Sequence, residues 1–275
     1  MTAHADLRVQ TIGLVPQLWD AIGARRKVVL PILVFCAIVA FWEYATAIRL
    51  VPPIILAGPS AIVRALQTSG LEILANMAVT LFQALAGFVI GNVLGLLVAI
   101  IFVHSSMVRR TVYPLAIAAE AVPIVAVVPV LILWLGNGVE PKIFITSFLT
   151  FFPMLINAYR GLRSADAEVQ ELLYTLSASR FQTLIMVRLP ASVPFLFNAL
   201  KLSACTCIMA SIVAEWLASN RGLGYLIVLY GQRYQIPEVW ATALVATAMS
   251  LVVYGTMVLA ERWAMPWKQA SDFSS

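Results

Sequence analysis

The chain has 275 residues, 61% hydrophobic and 11% charged, with mean hydropathy +0.92 and a formal net charge of +5. Soluble domains carry nearer a quarter charged residues, so a soluble globular fold is excluded. Apolar runs of about 20 residues recur without strand-like alternation, which predicts an all-α multi-pass membrane protein and not a β-barrel.

Residues 1–27 are polar and end in Arg25-Arg26-Lys27. Leu14, Val15, Leu18, Trp19 and Ile22 recur at helical spacing, which suits an amphipathic helix on the membrane surface. The first span covers about 28–48. With the basic cluster before it and Ala45-Thr46-Ala47 at its end, it mimics a cleaved signal. Glu43 and Tyr44 inside the cleavage region favour a retained anchor. Pro52, Pro53, Gly58 and Pro59 punctuate 49–75, with a short interfacial helix expected after Ser60.

The second span, 76–103, carries Gly87, Gly91 and Gly95 at a four-residue repeat that lets helix backbones approach in lipid. The third, 111–135, holds Pro114, Pro123 and Pro129 and is expected to be kinked or broken. Gly136-Asn137-Gly138 turns the chain into the fourth span, 142–159. The fifth, 193–217, follows Pro190, which is expected to break the run before it. A polar loop is expected over 218–236, then the sixth span, 237–260, and a polar tail, 261–275.

Six spans put both termini on one side. The N-terminal segment, Arg109, Arg110, the 160–188 segment and the tail hold 12 Lys and Arg residues; the opposite loops hold 5. The positive-inside rule therefore predicts N-in/C-in topology, with the Gly161–Pro190 stretch in the cytoplasm. The same rule accounts for the basic balance without nucleic acid. Cys36, Cys205 and Cys207 lie in apolar runs, as packing residues and not as a disulfide or zinc set.

The Gly161–Pro190 stretch is the most polar in a largely hydrocarbon chain. Asp166, Glu168 and Glu171 load its early part with negative charge, as a helix N-terminus favours. Val169, Leu172, Leu173 and Leu176 form an apolar stripe at helical spacing. Ser177 supplies a small residue for a turn, and Phe181, Leu184 and Ile185 begin a second apolar patch. A solvated loop would not need two such patches.

Glu171-Leu172-Leu173, then Ser177, then Leu189-Pro190 resembles the Glu-Ala-Ala loop of binding-protein-dependent ABC importer permeases. Leu-Leu stands here for Ala-Ala, and Ser177 for the usual Gly. Gly161-Leu162-Arg163, Pro190-Ala191-Ser192 and Gly222-Leu223-Gly224-Tyr225 are similar to the nitrate/sulfonate/taurine branch. Thr175–Arg180 and Leu196–Lys201 look like members that import thiamine-pyrimidine precursors or riboflavin.

The resemblance implies a type I ABC importer permease in a bacterial inner membrane, with a cytoplasmic coupling helix. It implies a second permease copy, in a homodimer, two ATPase subunits that hold ATP and Mg, and an extracytoplasmic substrate-binding protein. The chain would bind no cofactor and would form the path for a small polar solute: a sulfonate or taurine, nitrate, or a pyrimidine- or riboflavin-type precursor. The coupling residues are then Glu168, Glu171, Leu172, Thr175, Leu176, Ser177 and Ala178.

No Gly-x-x-x-x-Gly-Lys-Ser/Thr occurs, so ATP hydrolysis belongs to a partner. His-Glu-x-x-His and Gly-x-Ser-x-Gly are likewise missing, which argues against an enzyme. His104 is expected at headgroup level. Ionisable groups within spans mark pathways or partners. Glu120 is a pathway candidate, or pairs with Lys201. Lys201, Glu215 and Asn92 are further candidates, with Gln83 and Asn198 as hydrogen-bonding residues. Glu215 suits a gate or helix anchoring, and Gly222–Tyr225 a gate, a docking surface or a turn. An ion-gradient-driven secondary transporter coupling through Glu120 and Glu215 is the alternative, though it leaves the 161–190 helix unexplained.

Overall fold

The computed structural model describes residues 14–266; for 14–28 and Ala218 it describes the backbone alone. The residues expected to form an interfacial helix, Leu14 to Ile22, are thus described in backbone only, as the start of a longer helix, and the tail beyond Pro266 lies outside the described residues. The chain divides at Ala61 into two units.

In the first unit, α1 runs from Leu14 to Ala47 as one helix. Its Glu43 carboxylate accepts from the Ser60 amide at 2.9 Å and from Ser60 Oγ at 2.7 Å. This acid thus caps the start of the next helix, where first-turn amides lack backbone partners.

That helix, α2, spans Pro59–His104, 46 residues. At about 1.5 Å per residue it is roughly 69 Å long, more than twice the ~30 Å hydrocarbon core. The separate interfacial helix and second span are therefore one element. Within α2, Gly70 is the only glycine before Gly87 and no proline follows Pro59, so nothing there forces a break.

Two helices replace the third span. α3 (Ser106–Glu120) and α4 (Ile124–Leu135) meet at a 99° bend. The break falls at Pro123, while Pro114 and Pro129 are carried inside helices. α5 follows over Glu140–Leu162. Beyond it come α6 (Ala167–Thr175), α7 (Arg180–Thr183), a π-helical turn (Leu184–Arg188) and α8 (Leu189–Ala218).

Pro190 does not break the run. The wider turn closes with the Leu189 amide donating to Leu184 O, and Arg180–Leu217 is one apolar helix of 38 residues. A π-turn relieves the clash between a proline ring and the preceding turn. α9 (Leu223–Gln232) occupies the expected polar loop, and α10 (Ile236–Ala264) completes the chain. Five single helices, with α3–α4 as a bent sixth, are long and apolar enough to cross a membrane.

The second unit packs around α5. Gly87, Gly91 and Gly95 press α2 onto it: a Cβ on Gly87 would strike Thr146, on Gly91 Thr150 Oγ1 and Ser147 O, and on Gly95 Phe151 O. One buried cluster joins Ala99 and Phe102 of α2 to Leu155 and Ala158 of α5, Leu184 of the π-turn and Ala199 of α8. A second joins Val128 and Leu131 of α4 to Ile145 and Ala214.

α9 is fastened by its first three amides. Gly222 N donates to Asn76 Oδ1 at 2.7 Å, Leu223 N to Thr80 Oγ1 at 2.8 Å, and Gly224 N to Glu215 Oε2 at 2.8 Å. Donors that a helix start leaves orphaned are thus satisfied by α2 and α8. Tyr230 OH donates to Glu72 Oε2 at 2.8 Å. Burial, with the Glu72 carboxylate adding to it, pushes the Tyr230 phenol up to about 12, so it remains a donor at neutral pH.

Candidate functional site

The 163–188 segment stands on a rigid base. The last turn of α5 touches the first turns of α8 so closely that a Cβ on Gly161 would lie 2.8 Å from Phe195 Cβ and 2.9 Å from Ser192 Cβ. Ser164 Oγ donates to Gly161 O at 2.8 Å and closes the end of α5. Tyr159 gathers two cations beside it: Arg109 and Arg163 donate to its hydroxyl at 3.1 and 3.0 Å, and Arg163 also lies over its ring.

On this base the segment forms a helix, a turn and a second helix. α6 begins after Asp166, with Glu168 in its first turn where the helix dipole favours an acid. It ends in a Schellman turn. Ser177 N donates to Tyr174 O at 3.0 Å and Ala178 N to Leu173 O at 2.9 Å, with Ser177 at φ +56°. The left-handed region favours glycine, so the position where the resembling loops carry Gly holds a conformation that prefers it. Ser179 and Gln182 then close a capping box, by 3.2 and 2.7 Å bonds, that starts α7.

Gln170 sets the orientation of α6. Its Nε2 donates to Ala165 O at 2.9 Å, and its Oε1 accepts from Arg188 Nη2 at 2.9 Å. A side chain of α6 is thereby bonded to the π-turn at the foot of the fifth span. Sequence reading missed this strut; a Gln and an Arg 18 residues apart carry no local signal.

All seven candidate coupling residues lie on α6 or its C-terminal turn. Glu168, Glu171, Leu172, Thr175, Leu176 and Ser177 are exposed, and Ala178 is half-buried. Leu172 is 58% and Leu176 69% exposed, while Leu173 turns partly inward. Two leucines on a helix pinned at one end and tightly capped at the other form an apolar face that the described chain does not cover.

The four intramembrane candidates are not brought together. Lys201 Nζ pairs with Glu261 Oε2 of α10 at 2.6 Å. Of the two readings of Glu120, pathway residue or partner of Lys201, the second is corrected, and Glu261 moves from the tail into α10. Glu120 ends α3, exposed beside the bend. Glu215 is 1% exposed, accepts from Thr80 Oγ1 at 2.9 and 3.0 Å, and holds α9. Asn92 is buried, its Nδ2 donating to Phe88 O at 2.7 Å. None of them lines the apolar cavity of about 710 Å³ that Phe144, Phe148, Phe151 and Phe152 border with α2 and α3.

Lys142, at the first position of the expected fourth span, is buried, its Nζ donating to Gly138 O at 2.7 Å and to Asn137 Oδ1 at 3.1 Å. His104 is exposed at the end of α2. Among the described residues the three cysteines are free, and no group of His, Cys, Asp and Glu could hold a metal.

The helical architecture, with its bent third span, is that of a type I ABC importer permease subunit. A solved structure of the MetNI methionine ABC transporter, in inward-facing conformations, shares this fold at a TM-score of 0.57 and 19% identity, covering 75% of this chain and 97% of that one. Residues 91–265 match the family described as the binding-protein-dependent transport system inner membrane component, and the chain belongs to that family.

Among its relatives is the formylaminopyrimidine transport permease protein ThiX of Halalkalibacterium halodurans, 29% identical, covering 87% of this chain and 96% of ThiX. Another is the riboflavin transport system permease protein RibX of Chloroflexus aurantiacus, 29% identical over 91% of each chain. A third is the taurine transport system permease protein TauC of Escherichia coli, 27% identical, covering 88% of this chain and 90% of TauC. The chain is thus a multi-pass inner-membrane permease subunit of an importer of small solutes, and not an enzyme; ATP hydrolysis belongs to a separate subunit.

Proposed function

We propose that α6 is the cytoplasmic coupling helix, and that its Leu172–Leu176 face seats in a groove of the partner ATPase. The observation that carries this reading is an exposed apolar face held rigidly to the fifth span through Gln170 and Arg188. Glu168 and Glu171 flank it with charge, Thr175 and Leu176 complete the contact, and Ser177 and Ala178 fix the turn behind it. ATP and Mg bind the ATPase dimer; its closure moves α6, and the fifth span follows.

The excess of Lys and Arg at this end supports N-in/C-in topology. Two copies of the chain, as a homodimer in lipid, enclose the path, and an extracytoplasmic binding protein delivers the solute. Glu120, at the bend, lies beside the path. Lys201 and Glu215 hold helices together around it, and Asn92, bonded within its own helix, is a further residue of the path.

The solute is a pyrimidine- or riboflavin-type precursor ahead of a sulfonate, taurine or nitrate. Support comes from the names of ThiX and RibX and from the Thr175–Arg180 and Leu196–Lys201 runs.

A photo-crosslinking amino acid at Leu172 tests the contact in the assembled transporter. The reading expects a covalent adduct with the ATPase subunit, and none from the same group at Leu251 in α10. Absence of an adduct at Leu172, with uptake by the chain alone driven by a proton or sodium gradient, would replace it with the secondary-transport reading.

A further inference from the structure

Behind α6, on the side away from Leu172 and Leu176, lies a polar cavity of about 430 Å³. Arg180 and Arg188 line it, with His104 at the end of α2, Ser106 at the start of α3, and Thr183 and Tyr174. No Asp or Glu lines it, and among the described residues neither guanidinium has a carboxylate at ion-pair distance. Arg188 spends one donor on Gln170, and a guanidinium carries five. The Arg180 guanidinium makes no hydrogen bond or ion pair among the described residues. His104 places Nδ1 2.9 Å from Ile100 O, leaving Nε2 uncommitted.

Two cations facing one cavity without an acid repel each other and need an anion. The first turn of the 15-residue α3, where Ser105 Oγ accepts from Val108 N alone, adds the Ser106 amide and the positive end of its dipole. The Ser106 hydroxyl adds a donor, while that of Thr183 is committed to Ser179 O. Paired guanidiniums, a hydroxyl and a helix start match the several acceptor oxygens of a phosphate group.

The depth of the cavity identifies the nearest source. It opens where the apolar run of α2 ends at His104 and α3 begins at Ser106, the level at which lipid headgroups lie. We propose that this cavity is a phosphate-binding site, filled in the membrane by the headgroup of an anionic phospholipid. A phosphate there neutralises Arg188 beside its bond to Gln170 and so braces α6 from behind. The site is separate from the Leu172–Leu176 face and stands whether or not that face meets an ATPase.

The test uses the full-length permease reconstituted in vesicles of equimolar phosphatidylglycerol and phosphatidylcholine, extracted mildly and weighed intact with its retained lipid. The parent should retain phosphatidylglycerol roughly tenfold over phosphatidylcholine. Arg180→Gln with Arg188→Gln should fall to the bulk ratio, and Arg110→Gln, outside the cavity, should match the parent. Arg180→Gln alone, which removes no internal bond, should lose part of the enrichment in a chain that folds as the parent does.

A second arm titrates delipidated permease with inorganic phosphate by calorimetry. Heat in the parent that vanishes in the double variant, without lipid enrichment, would keep the site and assign it to a free phosphate. Equal behaviour of parent and double variant in both arms would overturn the proposal, as would an equal loss in Arg110→Gln.

Discussion

Arg188 Nη2 donates to Gln170 Oε1 at 2.9 Å, and this bond ties α6 to the π-turn that begins the fifth span. Without it, α6 would hang between two short connections, and a push on its outer face would be absorbed there. A hydrogen bond to a charged donor contributes about 1.5–3 kcal/mol. Gln170→Ala and Arg188→Ala should each leave the permease inserted and assembled but lower solute-stimulated ATP hydrolysis several-fold. Arg188→Lys keeps a donor and should retain most of it. Unchanged stimulation in both alanine variants would remove the strut from the account.

Ser177 occupies a left-handed conformation at φ +56°. A non-glycine residue there costs about 1 kcal/mol, and a β-branched one more. Ser177→Gly should raise the thermal midpoint of the purified subunit slightly and keep coupling. Ser177→Val should distort the turn and lower solute-stimulated ATP hydrolysis. The order Gly, Ser, Val in coupling is what steady-state ATPase rates should show.

The α2–α5 crossing leaves no room at Gly91, where a Cβ would meet Ser147 O and Thr150. Overpacking of this kind typically costs about 1–3 kcal/mol, and a backbone neighbour yields little. Gly91→Leu should reduce recovery of folded subunit and lower its melting temperature in detergent. Gly255→Ala, where nothing lies within 4 Å, should be neutral or mildly stabilising, since alanine favours a helix.

Glu215 accepts from both Thr80 and the start of α9. Glu215→Ala strands the Gly224 amide, at a cost of about 1–3 kcal/mol. Amide exchange over Leu223–Gln232 should quicken in that variant and stay near the parent rate in Glu215→Gln, which keeps an acceptor. Equal protection in all three would mean that α9 is held by Asn76 and Thr80 alone.

How much was legible depended on whether the signal was local. Apolar runs located the spans, and the Gly87–Gly91–Gly95 repeat marked a close helix crossing, because both are written within one helix. The α6 stripe and the Ser177 turn were readable for the same reason. Lys201–Glu261 was not, since its partners are 60 residues apart on different helices. Pro190 misled because a π-turn accommodates a proline without any local mark. The α9 helix had a readable stripe in Leu223, Leu226 and Tyr230, masked by Arg221, Gln232 and Arg233 at its ends. The length of α2 was hidden by Pro52, Pro53, Gly58 and Pro59, whose punctuation ends at its first residue and says nothing of the helix beyond.

The most direct test of the coupling account replaces Leu176 by Asp, or Glu171 by Lys, in the complete transporter reconstituted in liposomes. Solute-stimulated ATP hydrolysis and solute uptake are then measured together. The account predicts that both variants insert and that the ATPase keeps its basal rate, while stimulation and uptake fall by at least about tenfold, the factor that a loss of ~1.4 kcal/mol of contact would give. Uptake and stimulation at the parent level in both variants would contradict it.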